Sequence, residues 1–138
     1  MANLLGYLSN KNNDKLNLIE DSGWISLNPY YLDGWQGYHN GTTEYQIGRF
    51  RKIGKIVYLD GIIENRNSNP LSTIATLPNG FRPSKKSHYA MASMYNEDGH
   101  GNKSKMLCID TSGQVFLQGQ DVVKDDWISL SGISFFID

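Results

Sequence analysis

From Trp24 to the C-terminus, apolar residues recur with a period near two, and no stretch carries helical periodicity. A chain patterned this way buries its apolar face by stacking or closing β-sheets. The pattern predicts strands at 24–27, 44–50, 55–63, 72–77, 88–94, 104–110, 114–118 and 127–137. Turn chemistry separates them: residues 51–54 form a tight turn, Pro78-Asn79-Gly80 closes a strand, Asp110-Thr111-Ser112-Gly113 turns a hairpin, and Gly132 bends the last strand. In the segment 55–63, Ile56, Tyr58 and Ile62 line one face and Val57, Leu59 and Ile63 the other. Such a strand is central or meets another subunit with its second face. Gly61 within it predicts a bulge or a close backbone approach. Many short strands at regular spacing give an all-β fold, an antiparallel β-sandwich or barrel.

Residues 1–23 break this pattern. Leu4, Leu5 and Leu8, then Leu16, Leu18 and Ile19, flank a stretch holding Asn10, Asn12, Asn13 and Asp14. Neither apolar patch can bury itself alone, so 1–23 reads as a short neck and 24–138 as a single head domain. The whole is 138 residues, ordinary for one domain. Trp24-Ile25-Ser26-Leu27 recurs as Trp127-Ile128-Ser129-Leu130, which reads as convergence of strand sequences rather than duplication.

Charge and cysteine content narrow the partners. The net charge of −1, with acids and bases interspersed, argues against nucleic acid held by counterion release. The basic cluster Arg49, Arg51, Lys52 and Lys55 reads as a solvated turn rather than a phosphate site. No apolar run approaches the roughly 20 residues that span a bilayer, so no membrane insertion is expected. Met1 to Tyr7 lack the features of a signal peptide. With Cys108 as its one cysteine, the chain cannot form an internal disulfide and must gain stability from packing or assembly.

Chemistry that would mark an enzyme is not signalled. His39, His88 and His100 form no metal-ligand spacing, and the loop with Asn96, Asp98 and His100 lacks the later acid of a calcium loop. Cys108 alternates with Met106 and Asp110 and reads as a buried structural thiol. Asp60 reads as the partner of Arg49 or Arg51. No phosphate cradle, nucleophile elbow or dinucleotide fingerprint occurs, so neither catalysis nor a cofactor nor a bound metal is expected.

Strand alternation places the connections 28–43, 64–71, 95–103 and 119–126 at one end of a sandwich, and 51–54, 78–87 and 111–113 at the other. The first set is mostly long and polar, the usual build of a recognition rim on a rigid scaffold. It carries Tyr30, Tyr31, Trp35, Tyr38 and His39, then Glu64, Asn65, Arg66 and Asn67, then Tyr95, Asn96, Asp98 and His100. Sugars present apolar ring faces beside hydroxyl groups, and planar side chains with amides or charges alongside match both. The candidate glycan contacts are therefore Tyr30, Tyr31, Tyr38, His39, Asn65, Arg66, Asn96, Asp98 and His100. Ordinary solvated loops would also hold such residues.

From Tyr31 onward the order of motifs resembles the C-terminal receptor-binding domains of phage tail fibres and baseplates. The carriers are Leu32-Asp33-Gly34-Trp35, the basic run 49–52, Val57-Tyr58-Leu59-Asp60-Gly61, Ile74-Ala75-Thr76-Leu77-Pro78-Asn79-Gly80-Phe81-Arg82-Pro83, Ile109-Asp110-Thr111-Ser112-Gly113-Gln114-Val115 and Leu130-Ser131-Gly132-Ile133-Ser134-Phe135. Most have scaffold duties, and within this pattern Trp35 reads as core. The resemblance implies a jelly-roll-like sandwich, a homotrimer in the virion, contact with other tail or baseplate proteins, and adhesion to a host surface or cell-wall saccharide. It brings no catalytic residues. A structural or trimerisation module of the same fibre, and a carbohydrate-binding domain of a cell-wall hydrolase, are the alternatives.

Overall fold

The computed structural model describes residues 19–96, 102–119 and 122–137. Its strands in chain order are β1 (Ile25–Ser26), β2 (Trp35–Gly37), β3 (Arg49–Ile53), β4 (Ile56–Asp60), β5 (Ile62–Asn65), β6 (Thr73–Thr76), β7 (Ser87–Asn96), β8 (Asn102–Ile109), β9 (Gln114–Leu117), β10 (Asp126–Ser129) and β11 (Ile133–Phe136). They form a four-stranded sheet, β1-β3-β4-β11, and a seven-stranded sheet, β2-β5-β10-β7-β8-β9-β6. Neighbouring strands are antiparallel. The fold is the all-β sandwich expected from the alternation.

Two bent segments tie the sheets together. β4 runs into β5 through Gly61, and β10 runs into β11 through Ser131 and Gly132. The segments pair with each other on both sides of the bend, Leu59 opposite Ile133 in one sheet and Glu64 opposite Trp127 in the other. At the corner Leu130 N–H donates to Gly61 O at 2.8 Å. Gly61 has φ +104 and lies against the Ile47 carbonyl, the close approach its place in a strand suggested. Between the sheets, Phe50, Val57, Ile63, Ile74, Leu107 and Ile128 are fully enclosed. Burying one such side chain contributes roughly 1.5–3 kcal/mol.

Several expectations need correction. The strand expected at 44–50 lies at Arg49–Ile53, and the tight turn consists of Gly54 and Lys55 between the paired Ile53 and Ile56. Arg49 and Arg51 therefore project from a strand face rather than a solvated turn. Arg49 pairs with Asp60 at 2.8 Å and lies over the Trp24 ring, while Arg51 pairs with Asp21. The segment 55–63 is central, with β4 between β3 and β11 and β5 between β2 and β10, but it is not fully buried on both faces: Val57, Leu59 and Ile63 enter the core, and Ile56, Tyr58 and Ile62 stay half-exposed. Apart from these corrections, residues 20–22 of the segment read as a neck pack on the head, hydrogen-bonding along β3 through Ser22 N–H to Lys52 O and Gly54 N–H to Glu20 O. Residues 1–18 of that neck lie outside the described residues.

Parts of three of the four connections that strand alternation placed on one rim meet there, residues 97–101 of the fourth lying outside the described residues. Asp125 N–H donates to Asn65 O, the Asn65 amide donates to Asp33 O, and the Trp35 indole donates to Leu71 O, all within 2.7–2.9 Å. These bonds stitch three connections together at one end. At the opposite end, Leu77 N–H donates to Gly113 O, and Lys52 Nζ to Gly80 O.

Candidate ligand-binding site

The connection expected at 28–43 is not an open loop. It holds a 3₁₀ turn (Asn28–Tyr30), the edge strand β2 and a second 3₁₀ turn (Tyr38–Gly41). A three-residue strand is too short for alternation to reveal. β2 buries Trp35 and Gly37 and runs down from the rim, so Tyr38 and His39 fold back across the outer face of the seven-stranded sheet. Gly37 permits this, because a Cβ there would meet the Ile47 side chain at 2.7 Å.

On that face the register aligns Gln36, Glu64 and Trp127 across β2, β5 and β10. Trp127 is outward because its neighbours Asp126 and Ile128 take the buried positions of β10. Tyr38 meets Trp127 edge to face at 5.9 Å, Tyr45 at 5.7 Å and His39 at 4.2 Å. Tyr38, Tyr45, Trp127 and Ile62 line a recess of about 90 Å³.

Below this cluster lies Glu64, fully buried. Its Oε1 accepts from Gln36 Nε2 at 3.1 Å, His39 N–H at 2.8 Å and Arg66 Nε at 2.9 Å. Its Oε2 is enclosed without a hydrogen-bond partner among the described residues. Arg66 also donates to His39 Nδ1 at 3.1 Å. Guanidinium has no acceptor, so Nδ1 must offer its lone pair, which leaves the imidazole proton on Nε2. His39 (φ 47) and Asn40 (φ 53) are both left-handed, at a cost of about 1 kcal/mol or more each. Strain of this kind often collects at binding sites.

Of the residues singled out by sequence, the structure brings together Tyr38, His39 and Arg66. Others are placed differently. Tyr30 packs edge to face on Phe50 at 5.5 Å, as part of the core wall. Tyr31 also packs on the core, its hydroxyl against Gly48, and burial pushes its pKa up. Asn65 is fully buried, its amide nitrogen donating to Asp33 O and its amide oxygen accepting from Asn67 N–H, so it pins the rim instead of facing solvent. Asn96 ends β7 at the rim, opposite Asp126, while Asp98 and His100 lie outside the described residues. Trp127, Tyr45 and Gln36 were missed. Only Trp127 carried a signal, being out of phase with the core residues Ile128 and Leu130.

Elsewhere, Cys108 is buried, and that burial raises its thiol pKa. Among the described residues no three His, Cys, Asp or Glu side chains converge as metal ligands would. What the recess offers is apolar planes beside hydrogen-bonding groups.

No family model matches the chain, and no curated protein does. Among solved structures, the chain is similar to the receptor binding protein (gp15) of Listeria phage PSA, with a TM-score of 0.63 at 18% identity, over 99% of this chain and 77% of that one. At that identity the likeness is one of fold, and the sandwich described above is similar to that of a phage receptor binding protein.

Proposed function

We propose that the chain is a receptor-binding head of a phage tail, carried in the virion at the tail tip or baseplate, that adheres as a homotrimer to a saccharide of the bacterial surface and catalyses no reaction. The observation carrying this reading is the recess of Tyr38, Tyr45 and Trp127, set on a rigid sheet in a fold similar to that of a phage receptor binding protein. Edge-to-face aromatic walls suit the apolar face of a sugar ring, and His39 and Arg66 beside them suit its hydroxyl groups. A recess of about 90 Å³ is well below the roughly 300 Å³ or more of an enclosing small-molecule pocket. One ring would rest on it, and three linked copies would supply the strength through avidity.

Assembly has its own support on the outer face of the four-stranded sheet. Ile53, Ile56 and Phe136 stand in one register row, with Phe136 65% exposed. Other tail or baseplate proteins would complete the particle, while nucleic acid and membrane insertion have no part in this reading.

The test is binding to a panel of purified bacterial surface polysaccharides and to whole cells. The wild-type protein should retain at least one polysaccharide, and Trp127→Ala should weaken that binding about tenfold or more with its fold intact by circular dichroism. Retention of no polysaccharide, or unchanged binding by Trp127→Ala, refutes the reading.

A further inference from the structure

We propose that Glu64 is the hydroxyl acceptor of this recess, and that the site therefore takes a neutral sugar ring in preference to an acidic one. The inference rests on the saccharide reading above and names the chemistry within it. The three donors that reach Glu64 from Gln36, His39 and Arg66 all fall on Oε1, at 2.8–3.1 Å. Oε2 is buried and has no partner among the described residues. Buried polar atoms are seldom left open, and each one that is asks for a missing complement. Here the missing complement is a donor.

Its position points to the ligand as that donor. Alternation along β5 puts Glu64 on the face of Ile62, which lines the recess, and the register puts it directly across from Trp127, which forms its wall. Glu64 has no exposed surface, so contact requires the adjacent turn Tyr38–Gly41 to shift. That turn holds His39 and Asn40 in left-handed backbone, and releasing them offsets part of the cost of opening. The ring of a bound sugar would lie against Trp127 while one hydroxyl donates to Oε2.

The same geometry sets the preference. The positive charge of Arg66 is already engaged by Glu64 through Nε. A carboxylate brought to the recess would face the open, desolvated Oε2 with no donor to give it. A site built to receive a hydroxyl discriminates strongly against groups that cannot donate.

Two measurements test this. In calorimetric titrations of the wild-type protein, neutral bacterial polysaccharides should bind at least about tenfold tighter than uronic-acid polymers. Glu64→Gln, which keeps an oxygen for the three donors but places an amide where Oε2 stood, should lower neutral-polysaccharide affinity by about tenfold or more. Uronic-acid polymers binding as well as neutral ones overturns the proposal, and this arm decides alone if Glu64→Gln does not fold. Folded Glu64→Gln binding like wild type also overturns it. If binding remains sensitive to Trp127→Ala in either case, the saccharide reading survives and only the role of Glu64 falls. If no polysaccharide binds the wild type, both fall together.

Discussion

A Cβ on Gly61 would stand 2.2 Å from the carbonyl oxygen of Ile47. The obstacle is backbone, which cannot rotate aside as a side-chain tip can, and the φ of +104 is itself hostile to any residue with a side chain. Gly61 is also the corner at which β4 leaves one sheet and β5 enters the other. Gly61→Ala should therefore cost about 3 kcal/mol or more, read from urea unfolding. A loss below about 1 kcal/mol would mean that the corner adapts.

The aromatic residues of 30–38 divide into two kinds. Trp35 is 3% exposed and its indole donates to Leu71 O. Trp35→Ala should cost about 3–5 kcal/mol. Tyr31→Ala, which also opens the core wall, should lower the melting temperature. Tyr38→Ala should spare it to within a few degrees while weakening polysaccharide binding. Thermal melts and binding measured on the same three variants check the division, and a Tyr31→Ala protein as stable as wild type contradicts it.

Acid should unfold the head through particular carboxylates. Hydrogen bonds from Arg51 and the Gly23 backbone hold the Asp21 carboxyl at about 2, below the usual 3.8. Burial would raise Asp60, but hydrogen bonds from Ser131 and Arg49 outweigh it and keep the carboxyl below its ordinary value. Asp110 is likewise lowered, its burial outweighed by Ser112 and the Gln114 N–H. A carboxyl depressed in the folded state stabilises above the unfolded-state pKa, about 3.9, and loses that contribution as pH falls through the folded value. Stability contributed by these groups should hold from neutrality to about pH 5 and fall between about pH 4 and 2. Arg49→Met with Ser131→Ala should shrink that fall in an acid titration followed by circular dichroism.

The row of Ile53, Ile56 and Phe136 makes the proposed assembly testable. If the chain assembles as proposed, wild type should sediment as a trimer at micromolar concentration and Phe136→Asp should shift it toward monomer. The sandwich itself should remain, because Phe136 projects outward from an edge strand. A stable wild-type monomer at that concentration counts against the trimer.

Much of the scaffold was legible because its causes are local. Leu77-Pro78 and Asn79-Gly80 stop a strand wherever they occur, and Gly113 turns a hairpin by its own φ of +85. Alternation separated Val57, Leu59 and Ile63 from Ile56, Tyr58 and Ile62, though only the packing showed which set enters the core, and counting strands put rim connections at one end. The short β2 was invisible, since three residues carry no period. It carries Tyr38 and His39 of the expected rim away to a recess on a sheet face.

The repeated tetrad shows where sequence alone stops. Trp24-Ile25-Ser26-Leu27 and Trp127-Ile128-Ser129-Leu130 both read as strand, and β1 takes Ile25 and Ser26 of the first while β10 takes Trp127, Ile128 and Ser129 of the second. In the first, Trp24 lies beneath Arg49, with the guanidinium 4.1 Å from the ring centre. In the second, Trp127 stands between Glu64 and Tyr95 in register and meets Tyr38 at the recess. Alternation determined which side chains share a face, because that depends on adjacent residues. Which neighbours they find there was decided only by the register of strands distant in sequence, and the buried, half-satisfied Glu64 exists only as a product of that register.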